Sequence, residues 1–289
     1  MMISLNLFKP HILGVKAISL LALASLASLS AIPAFTQTLH VTIDGASGKL
    51  SAEVYCPHLK AGGKTPLVIL MHGFMSNKHD GVLTNITTAL EEKGMAYVRF
   101  DFDGHGDSEG DFQNMTVTSE IGDAQRVYEY ARKLSFVGDI ALLGHSQGGV
   151  VASMLAGKLG RKRISRLVLM APAAVLKDDA KNGTLFGLHY DPVKVPEYIE
   201  VFNHRLGKAF IKEAQKLPIY ETAARYTGPV CIVHGMADGV VPCHYSVRYK
   251  EGYKNASLHL IENEDHGFSC KPEEVRAIVA PFLEGMKKH

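Results

Sequence analysis

Short, continuously apolar runs alternate along this chain with longer segments in which apolar residues return every three or four positions. The runs have the length and composition of strands buried on both faces of a parallel sheet: residues 66–71, 96–100, 139–143, 166–172, 228–235 and 257–261. The intervening helical spacing is clearest at residues 81–93, 116–134, 245–251 and 272–286. This alternation predicts βαβ units with right-handed crossovers, and therefore an α/β fold.

Two stretches depart from this rhythm. At the start, residues 39–43 and 50–55 flank a Gly-rich link, which predicts an antiparallel hairpin. Between residues 173 and 227 we find a helical pattern only at 208–216 and no buried strand. We expect this cap insertion (residues 173–227) to lie over the C-terminal edge of the sheet as part of the same domain.

The first 34 residues have the pattern of a leader. Lys9 and Lys16 precede an uncharged apolar stretch at 17–27, and Pro33 and Ala34 follow it. This order predicts a secretory signal peptide at residues 1–34, cleaved after Ala34. The alternative is an uncleaved membrane anchor, although the run is short for a span. Either way the body is exported, to the periplasm or the medium, where disulfides are permitted.

Composition and charge mainly exclude classes of function. The chain has 289 residues, a formal net charge of +2 and a charged fraction of 21%. That length suits one large α/β domain, and no basic run is dense enough to indicate nucleic-acid binding. None of the four cysteines lies in a Cys-x-x-Cys spacing, so we expect no metal site.

The sequence Gly144-His145-Ser146-Gln147-Gly148 stands between a predicted strand and a predicted helix. It matches G-x-S-x-G, the sharp turn that lifts a serine hydroxyl above the edge of a parallel sheet. Small residues are needed there because the turn is strained and neighbouring backbones pass close by. The alternative is a Gly-rich turn with an ordinary surface serine.

A serine nucleophile needs a base and a group that orients the base. Asp238 follows the run at 228–235, and His266 follows the run at 257–261, in the order expected of such a fold. All three loops meet at the C-terminal edge of the sheet. We therefore predict a Ser146-His266-Asp238 triad. Asp265 and Glu264 are rival acids, but a residue next to the base in sequence is badly placed to accept its Nδ1 proton.

An oxyanion also needs donors. The backbone N–H of Gln147 is one, and the loop after residue 71 supplies the second through the backbone N–H of Phe74. Gly73 lets the backbone turn towards the site.

From about residue 38 to the end, the chain resembles the α/β-hydrolase superfamily and, more narrowly, the bacterial cinnamoyl (feruloyl) esterases. The motifs that carry the resemblance are His72-Gly73-Phe74, the Gly-rich loop 101–108, the serine motif 144–149, Asp238-Gly239-Val240-Val241-Pro242 and Asp265-His266-Gly267-Phe268. The resemblance implies one α/β-hydrolase domain over residues 35–289. Its mostly parallel twisted sheet carries helices on both faces, with the cap insertion over its C-terminal edge.

The resemblance also implies a substrate class: esters of hydroxycinnamic acids, such as ferulate or p-coumarate, attached to plant cell-wall sugars. In such a protein Asp178 or Asp179 would meet the phenolic hydroxyl, and Phe210 or Tyr190 would line the ring's pocket. Hydrolysis proceeds by acyl transfer through the serine and requires no metal or organic cofactor. His105, in the Gly-rich loop, is expected to be structural.

Several alternatives stay open. The same triad would serve a monoacylglycerol lipase-like or general short-chain acyl esterase, or, less readily, a peptidase. From a different class, a non-catalytic binding protein on a hydrolase scaffold is also compatible with the fold. Cys243 and Cys270 follow the Asp238 and His266 loops, so they either form a disulfide or remain two thiols.

Overall fold

A computed structural model describes residues 37–60 and 62–286. The predicted signal peptide at residues 1–34 lies outside these described residues. The strands are β1 (Gln37–Asp44), β2 (Lys49–Cys56), β3 (Thr65–Met71), β4 (Ala96–Phe100), β5 (Val137–His145), β6 (Arg166–Met170), β7 (Thr184–Leu185), β8 (Leu188–His189), β9 (Tyr198–Val201), β10 (His204–Gly207), β11 (Val230–Gly235) and β12 (Ala256–Ile261).

Eight of these strands form one sheet in the order β1-β2-β4-β3-β5-β6-β11-β12. From β4 to β12 all neighbours pair in parallel. The hairpin β1-β2 is antiparallel, as its alternating pattern predicts, and β2 runs antiparallel to β4. The predicted α/β architecture is thereby confirmed, with an antiparallel hairpin at one edge.

The helices are α1 (Gly81–Glu92), α2 (Val117–Ala131), α3 (Gln147–Leu159), α4 (Val175–Asn182), α5 (Lys208–Ala214), α6 (Ile219–Ala223), α7 (His244–Gly252) and α8 (Pro272–Glu284). A short 3₁₀ turn covers Phe112–Asn114. Within the described ranges, none of the helices has both the length and the apolar character needed to cross a bilayer.

Continuous apolar strands arise here because the sheet buries both of its faces. On β3, Leu67, Ile69 and Met71 enter a core that includes residues of α2 and α3. Val68 and Leu70 point the other way, into a core shared with α1 and α8. Each such side chain stabilises the fold by roughly 1.5–3 kcal/mol when fully buried. Helices therefore cover both faces, and the loops at the C-terminal edge are left free to carry chemistry.

The cap insertion contains more regular structure than the sequence predicts. It holds α4, α5 and α6 together with two antiparallel hairpins, β7-β8 and β9-β10. Each hairpin turns through two residues of positive φ, Phe186-Gly187 and Phe202-Asn203, as in type I′ turns. The sequence predicts no buried strand here, and that holds, because these strands are two to four residues long and none is buried along its whole length.

Candidate active site

The serine motif forms a strained turn between β5 and α3. Ser146 has φ 55° and ψ −121°, in the positive-φ region that L-residues seldom adopt. The flanking glycines are required by close approach: a Cβ on Gly144 would overlap the Gly148 backbone, and one on Gly148 would overlap the end of β3. Ser146 is thereby held at the C-terminal edge of the central strand.

Ser146, His266 and Asp238 form one hydrogen-bonded chain. His266 Nε2 lies 3.0 Å from Ser146 Oγ, and His266 Nδ1 lies 2.7 Å from Asp238 Oδ2. The two rival acids face elsewhere, since Asp265 accepts hydrogen bonds from Ser269 while buried Glu264 accepts from backbone N–H groups. The geometry can pass a proton from the serine hydroxyl to the imidazole, with a carboxylate orienting the ring.

The Asp238 carboxylate is buried but surrounded by donors. Burial by itself would raise its pKa. The side chains of His234 and His266 and the backbone N–H of Val241 outweigh that effect and hold the pKa of Asp238 well below its ordinary value. Asp238 is therefore ionised at neutral pH and can stabilise a cationic His266.

His145, next to the serine, supports the base. Its Nε2–H donates to the backbone carbonyl of His266 at 2.9 Å, and the two rings lie 4.9 Å apart. Burial lowers the pKa of His145 to about 3, so this ring is neutral under ordinary conditions. A neutral neighbour leaves His266 as the ring that takes up the proton.

The loop after β3 is fixed from behind by two buried side chains. His72 donates its Nδ1–H to the Gly73 carbonyl and accepts the Phe102 N–H at Nε2. Lys78 places its ammonium 2.6 Å from Asp101 Oδ2, which ties this loop to the one after β4. A Cβ on Gly73 would lie 3.0 Å from the Ser146 Cβ, so the loop passes directly over the serine.

A cavity of about 330 Å³ opens onto Ser146. Phe74 and Gln147, the predicted oxyanion residues, both line it. Much of its wall comes from the cap insertion, and the full lining is Phe74, Ser146, Gln147, Ala173, Val175, Leu176, Asp179, Leu185, Phe186, Gly187, Phe210, Gly239, Val240 and Val241. A shallower depression of about 540 Å³, around Gly62 and Gly138 at the other end of β5, has no serine, cysteine or histidine in its lining.

The four predicted substrate residues separate into two pairs. Asp179 and Phe210 line the cavity, whereas Asp178 and Tyr190 do not. The expectation that Asp178 and Tyr190 lie in the wall of the substrate cavity therefore needs correction. Asp178 instead accepts a hydrogen bond from Tyr245 Oη at 2.9 Å, because consecutive residues of α4 point in different directions.

Asp179 is the acid that faces the cavity. Burial raises its pKa, the nearby charge of Asp178 acts in the same direction, and the Thr184 hydroxyl, 3.3 Å from Oδ1, opposes them. A carboxyl in such surroundings is well suited to accept a hydrogen bond from a ligand hydroxyl.

Some contributors were not predicted from the sequence. Phe186, at the β7-β8 turn, forms part of the cavity wall. Glu120 of α2 is fully buried and accepts a hydrogen bond from Gln147 Nε2 at 2.8 Å, directly behind the predicted oxyanion residue. His234, at the end of β11, contacts Asp238. The His-Gly pair at the end of β11, which repeats the His72-Gly73 pair after β3, was the available signal for His234.

Within the described residues, neither the cysteines nor the acidic side chains are assigned a disulfide or a metal site. Cys243 and Cys270 are free thiols, as are Cys56 and Cys231, so the disulfide hypothesis is not realised. In the described part of the chain, Glu264, Asp265 and Cys270 approach one another closely enough to share a cation. The two carboxylates already accept local hydrogen bonds, and we assign no metal there.

The strained turn at residues 144–148, here called the elbow, the hydrogen-bonded Ser-His-Asp chain and the sheet define a serine hydrolase of the α/β fold. A family model described as serine aminopeptidase, S33, matches residues 63–190. The structure of Est1E from Butyrivibrio proteoclasticus with ferulic acid bound is 34% identical, with a TM-score of 0.80, over 84% of this chain and 98% of that one. The chain belongs to the α/β-hydrolase family.

More distant relatives share the same family. The mitochondrial palmitoyl-protein thioesterase ABHD10 of Bos taurus is 27% identical over 232 residues, which cover 73% of this chain and 70% of that protein. Its counterpart from Mus musculus is 29% identical over 232 residues, covering 73% and 72%.

Proposed function

We propose that this protein is a carboxylesterase that hydrolyses hydroxycinnamoyl esters, such as feruloyl and p-coumaroyl esters of plant sugars, after export from the cell. One observation carries the proposal: the cavity at Ser146 combines aromatic walls with a single, partly buried acid, Asp179. The similarity to Est1E, a protein solved with ferulic acid bound, supports the same substrate class.

The aromatic walls suit a flat ring. Phe74 stands 5.7 Å from Phe186 and 6.0 Å from Phe210, measured between ring centroids, so three phenyl rings meet at one side of the cavity. Offset and edge-on contacts at such distances are those that aromatic groups prefer. A cinnamoyl ring among them would lie within reach of Asp179, which would accept its phenolic hydroxyl.

The chemistry follows from the hydrogen-bonded chain. Ser146 Oγ attacks the ester carbonyl while His266 Nε2 takes its proton, and Asp238 stabilises the resulting imidazolium. The backbone N–H groups of Phe74 and Gln147 hold the oxyanion. His266 then protonates the leaving alcohol, and water releases the acid from Ser146 by the same route.

A second candidate is a thioesterase or lipase acting on longer acyl chains. It is favoured by exposed apolar side chains near the cavity, including Phe186, Leu188 and Phe202, and by the similarity to palmitoyl-protein thioesterases. Against it stands the cavity volume of about 330 Å³, near the lower end of the range for small-ligand pockets, roughly 300–1,000 Å³. A compact aromatic acid fits that volume better than a palmitoyl chain.

A substrate comparison tests the proposal. We expect kcat/KM for methyl ferulate and methyl p-coumarate to exceed that for a monoacylglycerol and for a palmitoyl thioester by at least about tenfold, the discrimination that a shaped pocket supplies. The Ser146→Ala variant provides the background rate for every substrate. A preference for the monoacylglycerol or for the palmitoyl thioester would replace the proposal with the second candidate.

A further inference from the structure

His234 is a fully buried histidine beside the acid of the triad, and the acyl-transfer steps do not use it. It is the penultimate residue of β11, four residues before Asp238, and its side chain has no exposed surface. Its Nε2 lies 2.8 Å from the Val241 carbonyl oxygen and 3.2 Å from Asp238 Oδ2. On its other side, Nδ1 lies 2.6 Å from Ser246 Oγ.

These partners fix which nitrogen of the neutral ring carries the proton. A carbonyl oxygen can only accept, so Nε2 must be the protonated nitrogen. Nδ1 is then an acceptor, and the Ser246 hydroxyl donates to it. The Val241 carbonyl thus sets the tautomer, and Ser246, itself fully buried on α7, holds the orientation of the His234 ring.

The ring acts on Asp238 in two ways. Its Nε2 lies 3.2 Å from Asp238 Oδ2, the oxygen that receives His266 Nδ1–H, while the Nε2–H itself donates to the Val241 carbonyl. It also holds the carbonyl of Val241, whose own N–H donates to Asp238 Oδ1 at 2.8 Å. The N–H groups of this turn therefore hold Oδ1, the two histidines approach Oδ2, and His234 fixes the turn at Val241.

We propose that His234, held by Ser246, is a positioning residue that keeps Asp238 in the orientation that receives His266. The inference rests on the proposed acyl-transfer role of Ser146, His266 and Asp238, and it adds a further residue to that mechanism. His234 touches neither the substrate cavity nor Ser146, so its effect passes through Asp238.

The titratable groups around this site are few. His145 from β5 and His266 from the loop after β12 interact with Asp238 and His234. Asp265 of that loop turns its carboxylate to Ser269. On α7, which packs against β11, the hydroxyls of Tyr245 and Tyr249 face Asp178 and Ser153 rather than His234.

Removing the His234 ring should lower kcat and leave KM nearly unchanged. Without the ring, the Val241 carbonyl loses its donor, and Asp238 is no longer fixed in the orientation that receives His266 Nδ1–H. The substrate cavity is unchanged, so KM should stay nearly constant.

The test compares His234→Leu, which removes the donor, with His234→Gln, which keeps an N–H near the same place. The substrate is p-nitrophenyl acetate, whose hydrolysis does not depend on the aromatic pocket. We expect His234→Leu to lower kcat about tenfold with little change in KM, because a small displacement of a catalytic group costs about that much or more. His234→Gln should recover most of the lost kcat.

Two further measurements keep the inference separate from folding and from substrate choice. The low-field proton resonance of His266 Nδ1–H should shift in His234→Leu and return in His234→Gln. Ser246→Ala, which removes only the support of the ring, should shift the same resonance to a smaller extent. The resonance reports on the inference even if no ester is hydrolysed, an outcome that would overturn the proposed function alone.

An unchanged kcat and an unchanged resonance in His234→Leu, with only thermal stability reduced, would overturn the inference and leave His234 as a packing residue. If His234→Leu does not fold, the other two variants decide. Loss of the wild-type resonance position in Ser246→Ala, with its retention in His234→Gln, supports the inference. Wild-type behaviour of Ser246→Ala in both measurements contradicts it.

Discussion

At the scale of single residues, the selectivity of the proposed esterase depends on one carboxyl group. Asp179 faces the cavity, and burial raises its pKa while the Thr184 hydroxyl partly offsets that effect. Its neighbour Asp178 has the same charge but is engaged with Tyr245. The pair therefore offers a matched experiment, with the cavity acid and its control next to each other in the chain.

We expect Asp179→Ala to lower kcat/KM for methyl p-coumarate about tenfold or more, because the phenolic hydroxyl loses a charged acceptor. The same variant should leave hydrolysis of methyl 4-methoxycinnamate, which has no phenolic hydrogen, nearly unchanged. Steady-state kinetics on the two esters measures the difference.

Asp178→Ala is the control and should not change the ratio between the two esters. Equal losses on both esters in Asp179→Ala would show that this carboxyl does not recognise the phenol. A change of ratio in Asp178→Ala alone would transfer the role to the other acid.

The sequence was most informative about residues that a motif ties to a strand end. Ser146, Asp238 and His266 were predicted from their positions after apolar runs, and the structure brings them into hydrogen-bond contact. The sequence could not show which of Asp178 and Asp179 faces the cavity, because that depends on the rotation of α4 about its axis.

At the scale of elements, the contact between α2 and α3 couples a buried acid to the elbow. Glu120 of α2 is buried, and its carboxyl accepts a hydrogen bond from Gln147 at the start of α3. Burial raises the pKa of Glu120 well above 4.5, the nearby carboxylates of Asp123 and Glu213 add to that rise, and the Gln147 bond opposes it.

This shift predicts a pH dependence of stability. The folded state keeps the Glu120 proton that the unfolded state releases above pH 4.5. Stability from this group is therefore fully present below that pH and declines above it, by up to about 1.4 kcal/mol per pH unit. Glu120→Gln keeps an acceptor for Gln147 without a proton to lose, so we expect its advantage in free energy of unfolding to grow as the pH rises above 4.5.

Denaturant unfolding of both proteins at several pH values measures this difference, with Glu129→Gln, whose side chain on the same helix is 38% exposed, as the control. A difference between Glu120→Gln and the wild type that does not vary with pH would contradict the assignment.

Among the elements, the long buried strands were easier to predict from the sequence than the short hairpins of the cap insertion. Strands buried on both faces produce long apolar runs, and every parallel strand of the sheet was foreseen. The hairpins β7-β8 and β9-β10 were missed because strands of two to four residues show no measurable alternation. Their turns also use Phe186 and Phe202, whereas the usual signal is Asn-Gly or Asp-Gly.

At the scale of the whole molecule, the sheet brings together groups that are distant in sequence. Ser146 and His266 are separated by 120 residues, yet their loops follow parallel strands that end at one edge. That convergence follows from topology and could be predicted. The interior of the cavity could not, because much of its wall comes from the cap insertion, where no strand or motif fixes the path of the chain.

The central claim is that Ser146 forms a covalent intermediate with a hydroxycinnamoyl group. The most direct measurement mixes the enzyme with p-nitrophenyl ferulate, an activated ester whose acylation step outpaces deacylation, and follows nitrophenol release together with the mass of the quenched protein. The account predicts a burst of nitrophenol close to one equivalent and a feruloyl adduct on the peptide that contains Ser146. It would be contradicted by turnover without an adduct, by an adduct on another residue, by hydrolysis retained in Ser146→Ala, or by no release of nitrophenol.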